Sequence, residues 1–160
     1  MSTLSMARKP KLEAPIITIV GEPGTRKTSL AATSPNPIIL PFEAVDAAFQ
    51  DYTDDEAPAL LPLIDNPTKQ RGYSSFGMTR QVLIDLYKEE HDYKTLIIDA
   101  VTSMNLKFEK EIAQNDNVDT VANAAGGFHK GYQVLKDYHL NIFDMCLKLS
   151  QHKGMTIIFL

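Results

Sequence analysis

Tryptophan is absent from this 160-residue chain, and cysteine occurs once. No apolar run approaches the roughly 18 residues that would span a bilayer. The lone thiol, Cys146, excludes an internal disulfide and suits a reducing compartment. It stands among Met145, Leu147 and Leu149, the setting of a buried core thiol rather than of a nucleophile. Residues 1–13 are polar and lack the apolar segment of a secretory signal, so they read as a flexible lead on a cytoplasmic protein with no membrane segment. Basic charge is also scarce, with 16 Lys and Arg against 20 Asp and Glu, a net charge of −4. A domain that held nucleic acid by phosphate neutralisation alone would be basic, so the overall charge gives no support to strong non-specific DNA binding. The small cluster Arg8, Lys9 and Lys11 reads as a solvated arm.

What remains is an ordinary globular composition, 44% hydrophobic and 22% charged, in a length that fits one domain with a real core. Residues 14–160 read as that domain. Pro15 to Val20 is a β-branched apolar run of the kind buried on both faces of a parallel sheet. A turn follows, then a helix over Lys27 to Ala32, and Ile38 to Leu40 starts a second strand. Residues 51–76, with Asp51, Asp54, Asp55, Glu56 and three prolines, read as a long loop with one short element at Leu60 to Ile64. Met78, Val82, Leu83, Leu86 and Tyr87 follow helical spacing. Leu96-Ile97-Ile98-Asp99 is a third buried strand, and Met104, Phe108 and Ile112 mark another helix.

The polar stretch Asn115 to Gly127 reads as a mobile connection. A long helix then carries Leu135, Ile142 and Leu149 on one face, with Tyr132, Tyr138 and Met145 filling the same side, and ends at Lys153-Gly154. Met155 to Leu160 is a fourth strand. Alternation of strands and helices predicts an α/β fold, a parallel sheet with helices on both faces. Ligands on such sheets sit beyond the carboxyl ends of the strands. Gly21, Glu43 and Asp99 all follow strand ends, so they are expected at one edge.

Gly21-Glu22-Pro23-Gly24-Thr25-Arg26-Lys27-Thr28 matches the phosphate-loop pattern at every fixed position but one, where Arg26 replaces glycine. Glycines let successive amides face phosphate oxygens. Lys27 reaches the β- and γ-phosphates, the Thr28 hydroxyl ligates Mg²⁺, and Ser29 follows in the first helical turn. A helix beginning near Lys27 would add its dipole. Arg26 carries a Cβ, which strains a backbone angle suited to glycine. Its guanidinium either adds a charge-assisted contact to phosphate or points to solvent.

Leu96-Ile97-Ile98-Asp99 is the aliphatic strand that sets a carboxylate at the sheet edge to hold Mg²⁺. Glu43 either polarises an attacking water or precedes a helix over Ala44 to Phe49 as an acidic residue at its start. His129, His139 and His152 have no metal-ligand spacing, and Tyr132 and Tyr138 read as core.

The phosphate loop through Ala31, the acidic residue at 43, Leu96 to Asp99, and Gly131-Tyr-Gln-Val-Leu-Lys136 before a helix and a hydrophobic strand together resemble phage-encoded RecA-like ATP-binding proteins, a group that includes single-strand annealing proteins. The resemblance spans residues 15–160. It implies ATP and Mg²⁺ as ligands, Lys27 and Thr28 in the phosphate-loop roles, Asp99 in the Mg²⁺ role, and Glu43 at the acidic position after the second strand. It also implies single-stranded DNA as a partner in recombination, a homo-oligomeric ring or filament that completes its site with a basic residue from a neighbour, and the cytoplasm of a bacterial host. Adenine is implied by the resemblance alone; the guanine-reading Asn-Lys-x-Asp string is absent. The chain departs from the family pattern at Pro41-Phe42, where an aspartate often stands. The polar γ-phosphate sensor of such domains would lie past Leu160, so the sequence reads as the front part of a longer RecA-like core. The competing expectations are a nucleotide-binding switch with little or no hydrolysis and, further off, a small-molecule phosphotransferase.

Overall fold

The computed structural model describes residue 4, residue 7 and residues 12–53, 55–65 and 74–160. The expected basic arm at Arg8, Lys9 and Lys11, together with Asp54 and Pro67, lies outside the described residues. Five strands form one parallel sheet: β1 (Ile16–Thr18), β2 (Pro37–Pro41), β3 (Ala59–Leu60), β4 (Thr95–Asp99) and β5 (Thr156–Phe159), in the spatial order β1-β5-β4-β2-β3. The helices are α1 (Lys27–Ala31), α2 (Ser75–Lys88), α3 (Val101–Asn115) and α4 (Gly131–Lys148), the last continued by a π-helical turn, Leu149–Lys153.

The strand side chains alternate, and the alternation divides the core. In register across the sheet lie Ile17, Ile158, Ile97 and Ile39. The last three pack with Ala31, Val45 and Phe49 on the face of α1. Their neighbours Ile38, Leu40, Leu96, Ile98 and Ile157 point the other way, into Leu83 and Leu86 of α2, Met104, Phe108 and Ile112 of α3, Leu135, Ile142 and Cys146 of α4, and Leu149 of the π-helical turn. Helices therefore cover both faces, as the alternation predicts, but unequally. Cys146 is the buried core thiol expected, its pKa pushed up to about 12 by burial.

Three local readings are corrected. The run Pro15 to Val20 is not a doubly buried strand. Among the described residues β1 pairs only with β5, and Val20 is 89% exposed. A β-branched run looks the same at an edge as at the centre of a sheet, because side-chain pattern does not report strand neighbours. The helix read over Ala44 to Phe49 is a single 3-10 turn, Asp46–Ala48, held between the buried anchors Val45 and Phe49. Tyr132 is exposed rather than core. It sits on the first turn of α4, where its ring stacks on His129, while Tyr138 stacks on Phe76 as a core-facing residue should.

Two contacts fix the helical layer. The buried Glu111 of α3 accepts from the Ser74 hydroxyl (2.8 Å) and the Phe76 amide (3.0 Å), while Ser74 itself caps α2 through the Gly77 amide. A Cβ at Gly131 would collide with the carbonyl of Val121, so α4 begins at a close backbone approach that only glycine permits. At its other end Gly154 closes the helix in the left-handed conformation, φ 68°, as read from the sequence. No helix among the described residues is long and apolar enough to cross a membrane.

Candidate functional site

The carboxyl ends of β1, β2 and β4 open on one cleft of about 1160 Å³, lined by residues of the 18–29 segment, by Glu43, by Ala47, Ala48 and Gln50 to Tyr52, by Asp99 to Met104, by His139, Ile142 and Phe143 of α4, and by Phe159 and Leu160. The expected convergence of Gly21, Glu43 and Asp99 on one edge is thus what the sheet produces.

The loop after β1 is held by its own groups. The Thr25 hydroxyl donates to the Glu22 carbonyl (2.8 Å), Gly24 turns at φ 81°, and Arg26 holds φ 59°, ψ 34°. A Cβ at Gly21 would meet the Thr25 hydroxyl at 3.1 Å, so the closed loop favours glycine there. Lys27 folds its ammonium group back onto the carbonyls of Gly21 (2.6 Å) and Glu22 (3.0 Å), spanning the loop from the helix side. The amides of Gly24, Arg26, Lys27 and Thr28 donate to no carbonyl or side chain among the described residues. Free amides around a curled loop are what an anion requires. With five residues, α1 sums few peptide dipoles, so these local N–H groups and Lys27, not a macrodipole, carry the attraction. Pro23 and Ser29 line the same cleft.

On the opposite wall, Thr28 donates its hydroxyl to Asp99 Oδ2 at 2.6 Å. Asp99 is 4% exposed at the end of β4, where a cis peptide joins it to Ala100. Burial pushes its carboxyl above the ordinary carboxylate value; the Thr28 hydrogen bond opposes that, Glu43 adds to it, and Lys27 opposes it again. A hydroxyl and a carboxylate meeting at an open cleft form a hard-oxygen donor pair of the kind Mg²⁺ takes when phosphates and water complete its shell. Among the described residues no group of three or more His, Cys, Asp or Glu could hold a metal unaided.

Glu43 stands just past β2, exposed, and accepts from the Ser103 hydroxyl at 2.6 Å. Farther out, His139 Nε2 bonds Asn105 Oδ1 (2.9 Å), and Asn105 donates to Glu109 (2.7 Å). Burial lowers the His139 pKa, with Glu109 pulling the other way. The AAA domain family model matches residues 13–160. The chain belongs to that family. No curated protein and no solved structure matches it.

An AAA domain is a P-loop nucleotide-binding fold, and in this AAA domain the residues singled out from the sequence supply part of the cleft lining, Gly21, Pro23 to Ser29, Glu43 and Asp99, while Glu22 is not among the lining residues. Among the lining residues not singled out are Ser103, His139 and Phe143. Ser103 carries a readable signal, a hydroxyl in the first turn of the helix that follows the strand-ending aspartate. The α4 residues carry none, since only the packing of α4 against α3 brings them to the opening.

Proposed function

We propose that this AAA domain binds ATP with Mg²⁺ through residues 21–29 and Asp99, and hydrolyses it. The observation that carries the reading is the Thr28–Asp99 hydrogen bond, which joins the two motifs across 71 positions of sequence. Lys27 trades its loop carbonyls for phosphate oxygens. Thr28 and Asp99 present the oxygens that hold Mg²⁺, and the bound ion supplies charge stabilisation to the phosphates. Glu43 accepts a proton from the attacking water, with Ser103 fixing its carboxylate.

For the biological role we propose single-stranded DNA binding and annealing in phage recombination, by a homo-oligomer in a bacterial cytoplasm. The support is the similarity of the quoted motifs to RecA-like phage proteins. A second reading, a nucleotide switch with little turnover, draws on Glu43, whose carboxylate is engaged by the Ser103 hydroxyl. Phosphate release by the intact protein separates the two. Turnover abolished by Lys27→Ala and by Asp99→Ala supports the ATPase; tight MgATP binding with no turnover supports the switch. ATP-dependent binding of a labelled single strand at low salt tests the DNA role, and equal affinity with and without ATP removes it.

A further inference from the structure

Arg26 occupies the glycine position of the phosphate loop and keeps a glycine-like backbone, φ 59° and ψ 34°. That region is unfavourable for an L-residue. Its carbonyl accepts the Leu30 amide as α1 begins (3.0 Å), but its side chain gains nothing in return from the described residues. The side chain is exposed, and among the described residues it makes no hydrogen bond, ion pair or ring contact. Thr25 and Lys27 on either side of it are both tied to loop carbonyls, so Arg26 is the one cation of the loop whose charge is not already engaged by it.

The lining of the cleft gives that cation a purpose. Its described carboxylates are Glu43, Asp51 and Asp99, against two cationic side chains, Arg26 and Lys27. A polyphosphate entering there meets more negative than positive side chains, even before the loss of the Lys27 carbonyl contacts is counted. A guanidinium is the side chain best fitted to answer this, since it stays charged and forks two N–H groups onto phosphate oxygens.

We infer that Arg26 is a direct ligand of the nucleotide's phosphates, a second cation supplied by the loop itself at the cost of backbone strain. The inference rests on the nucleotide reading above. Its test compares the intact protein with Arg26→Gly and Arg26→Lys, measuring MgATP and MgADP affinity by calorimetry and the melting temperature without nucleotide. Glycine relieves the left-handed backbone, and its added freedom in the unfolded chain offsets only part of the gain, so the melting temperature rises by about 2 °C. MgATP affinity falls about tenfold at the same time, and MgADP affinity falls less. Lysine leaves the melting temperature near that of the parent and restores part of the affinity.

Stability and affinity moving in opposite directions is a result that a merely structural role for Arg26 does not produce. The inference is overturned if Arg26→Gly binds MgATP as tightly as the parent, or if it loses melting temperature and affinity together. A parent protein that fails to bind MgATP removes the nucleotide reading as well, so the two failures are distinguishable.

Discussion

The two faces of the sheet are built to different depths. On one, Ile38, Leu40, Leu96, Ile98 and Ile157 meet three helices of 14, 15 and 18 residues. On the other, Ile39, Ile97 and Ile158 meet a five-residue helix and a 3-10 turn. Of the five residues of α1 only Ala31 is buried, and Leu30 is 61% exposed. The cleft draws its loop, Lys27, Thr28 and the 43–52 segment from the thin side. The thick side contributes Ser103, His139 and Phe143 as a wall. Segments with few buried contacts open and rearrange at low free-energy cost, whereas a close-packed layer does not. The phosphate loop of the proposed site is thus mounted on the thin face, and the packing that holds its position resides in the thick one.

The largest expected effect tests that division directly. Phe108 is fully buried, with edge-to-face contacts to Phe42, Phe76 and Tyr138. Phe108→Ala should lower unfolding free energy by about 3–5 kcal/mol. Urea denaturation measures this, and nucleotide affinity of the folded fraction should stay within about twofold, because the ring does not line the cleft. A loss below about 1 kcal/mol would mean the three-helix layer is not where stability lies. Next in size is Thr28→Val, which keeps the side-chain shape and removes the donor from a buried carboxylate. Hydrogen bonds to charged groups contribute about 1.5–3 kcal/mol, and a loss of that order is expected at neutral pH without nucleotide. Magnesium dependence of nucleotide binding should disappear with it. A variant as stable as the parent would show that Asp99 is satisfied by something other than Thr28.

How legible this was depended on which interaction fixed each feature. The continuous apolar runs Ile38-Ile39-Leu40 and Leu96-Ile97-Ile98 belong to the chain itself, so the central strands and the parallel sheet could be read directly. So could the loop itself, because Gly21, Lys27 and Thr28 stand within a few residues of one another. The edge position of β1 could not, since it depends on β5 pairing with Ile16 to Thr18 from the far end of the chain. Nor could the exposure of Tyr132, which shares the spacing of the buried Leu135 but stacks on His129 at the first turn of α4. Glu43 illustrates the middle case. Its residue type suggested acid–base work, but the Ser103 contact that gives it an orientation spans 60 residues.

A smaller effect, of opposite sign, is expected from Asp99→Asn. The folded-state pKa of Asp99 lies above its ordinary value of 3.8, chiefly through burial. Protonation therefore favours the folded state: the associated stability is complete below the unfolded pKa and is lost as pH rises through the raised folded value. At pH 7 the ionised carboxylate is a net cost to the nucleotide-free fold, and asparagine removes that charge while its carbonyl still accepts from Thr28. The melting temperature of Asp99→Asn should exceed the parent's by about 1–3 °C at pH 7, with the gain vanishing once the pH falls below 3.8. Magnesium should no longer strengthen nucleotide binding. A variant less stable than the parent at pH 7 would show that the Thr28 and Lys27 contacts outweigh burial.

The smallest stability effect belongs to Ser103→Ala, and this is where the comparison becomes sharpest. Ser103 belongs to α3 of the thick layer but hands its hydrogen bond to Glu43 on the thin side. The pair is solvent-exposed, so its loss should change unfolding free energy by no more than about 0.5 kcal/mol. Turnover should respond more. With Glu43 free to rotate, kcat should fall about three- to tenfold while KM stays constant, because the carboxylate is placed for the attacking water and not for nucleotide binding. Unchanged kcat would leave the hydrogen bond as surface decoration and return Glu43 to the switch reading. A rise in KM with constant kcat would instead place Ser103 on the nucleotide itself, making the thick wall a binding surface.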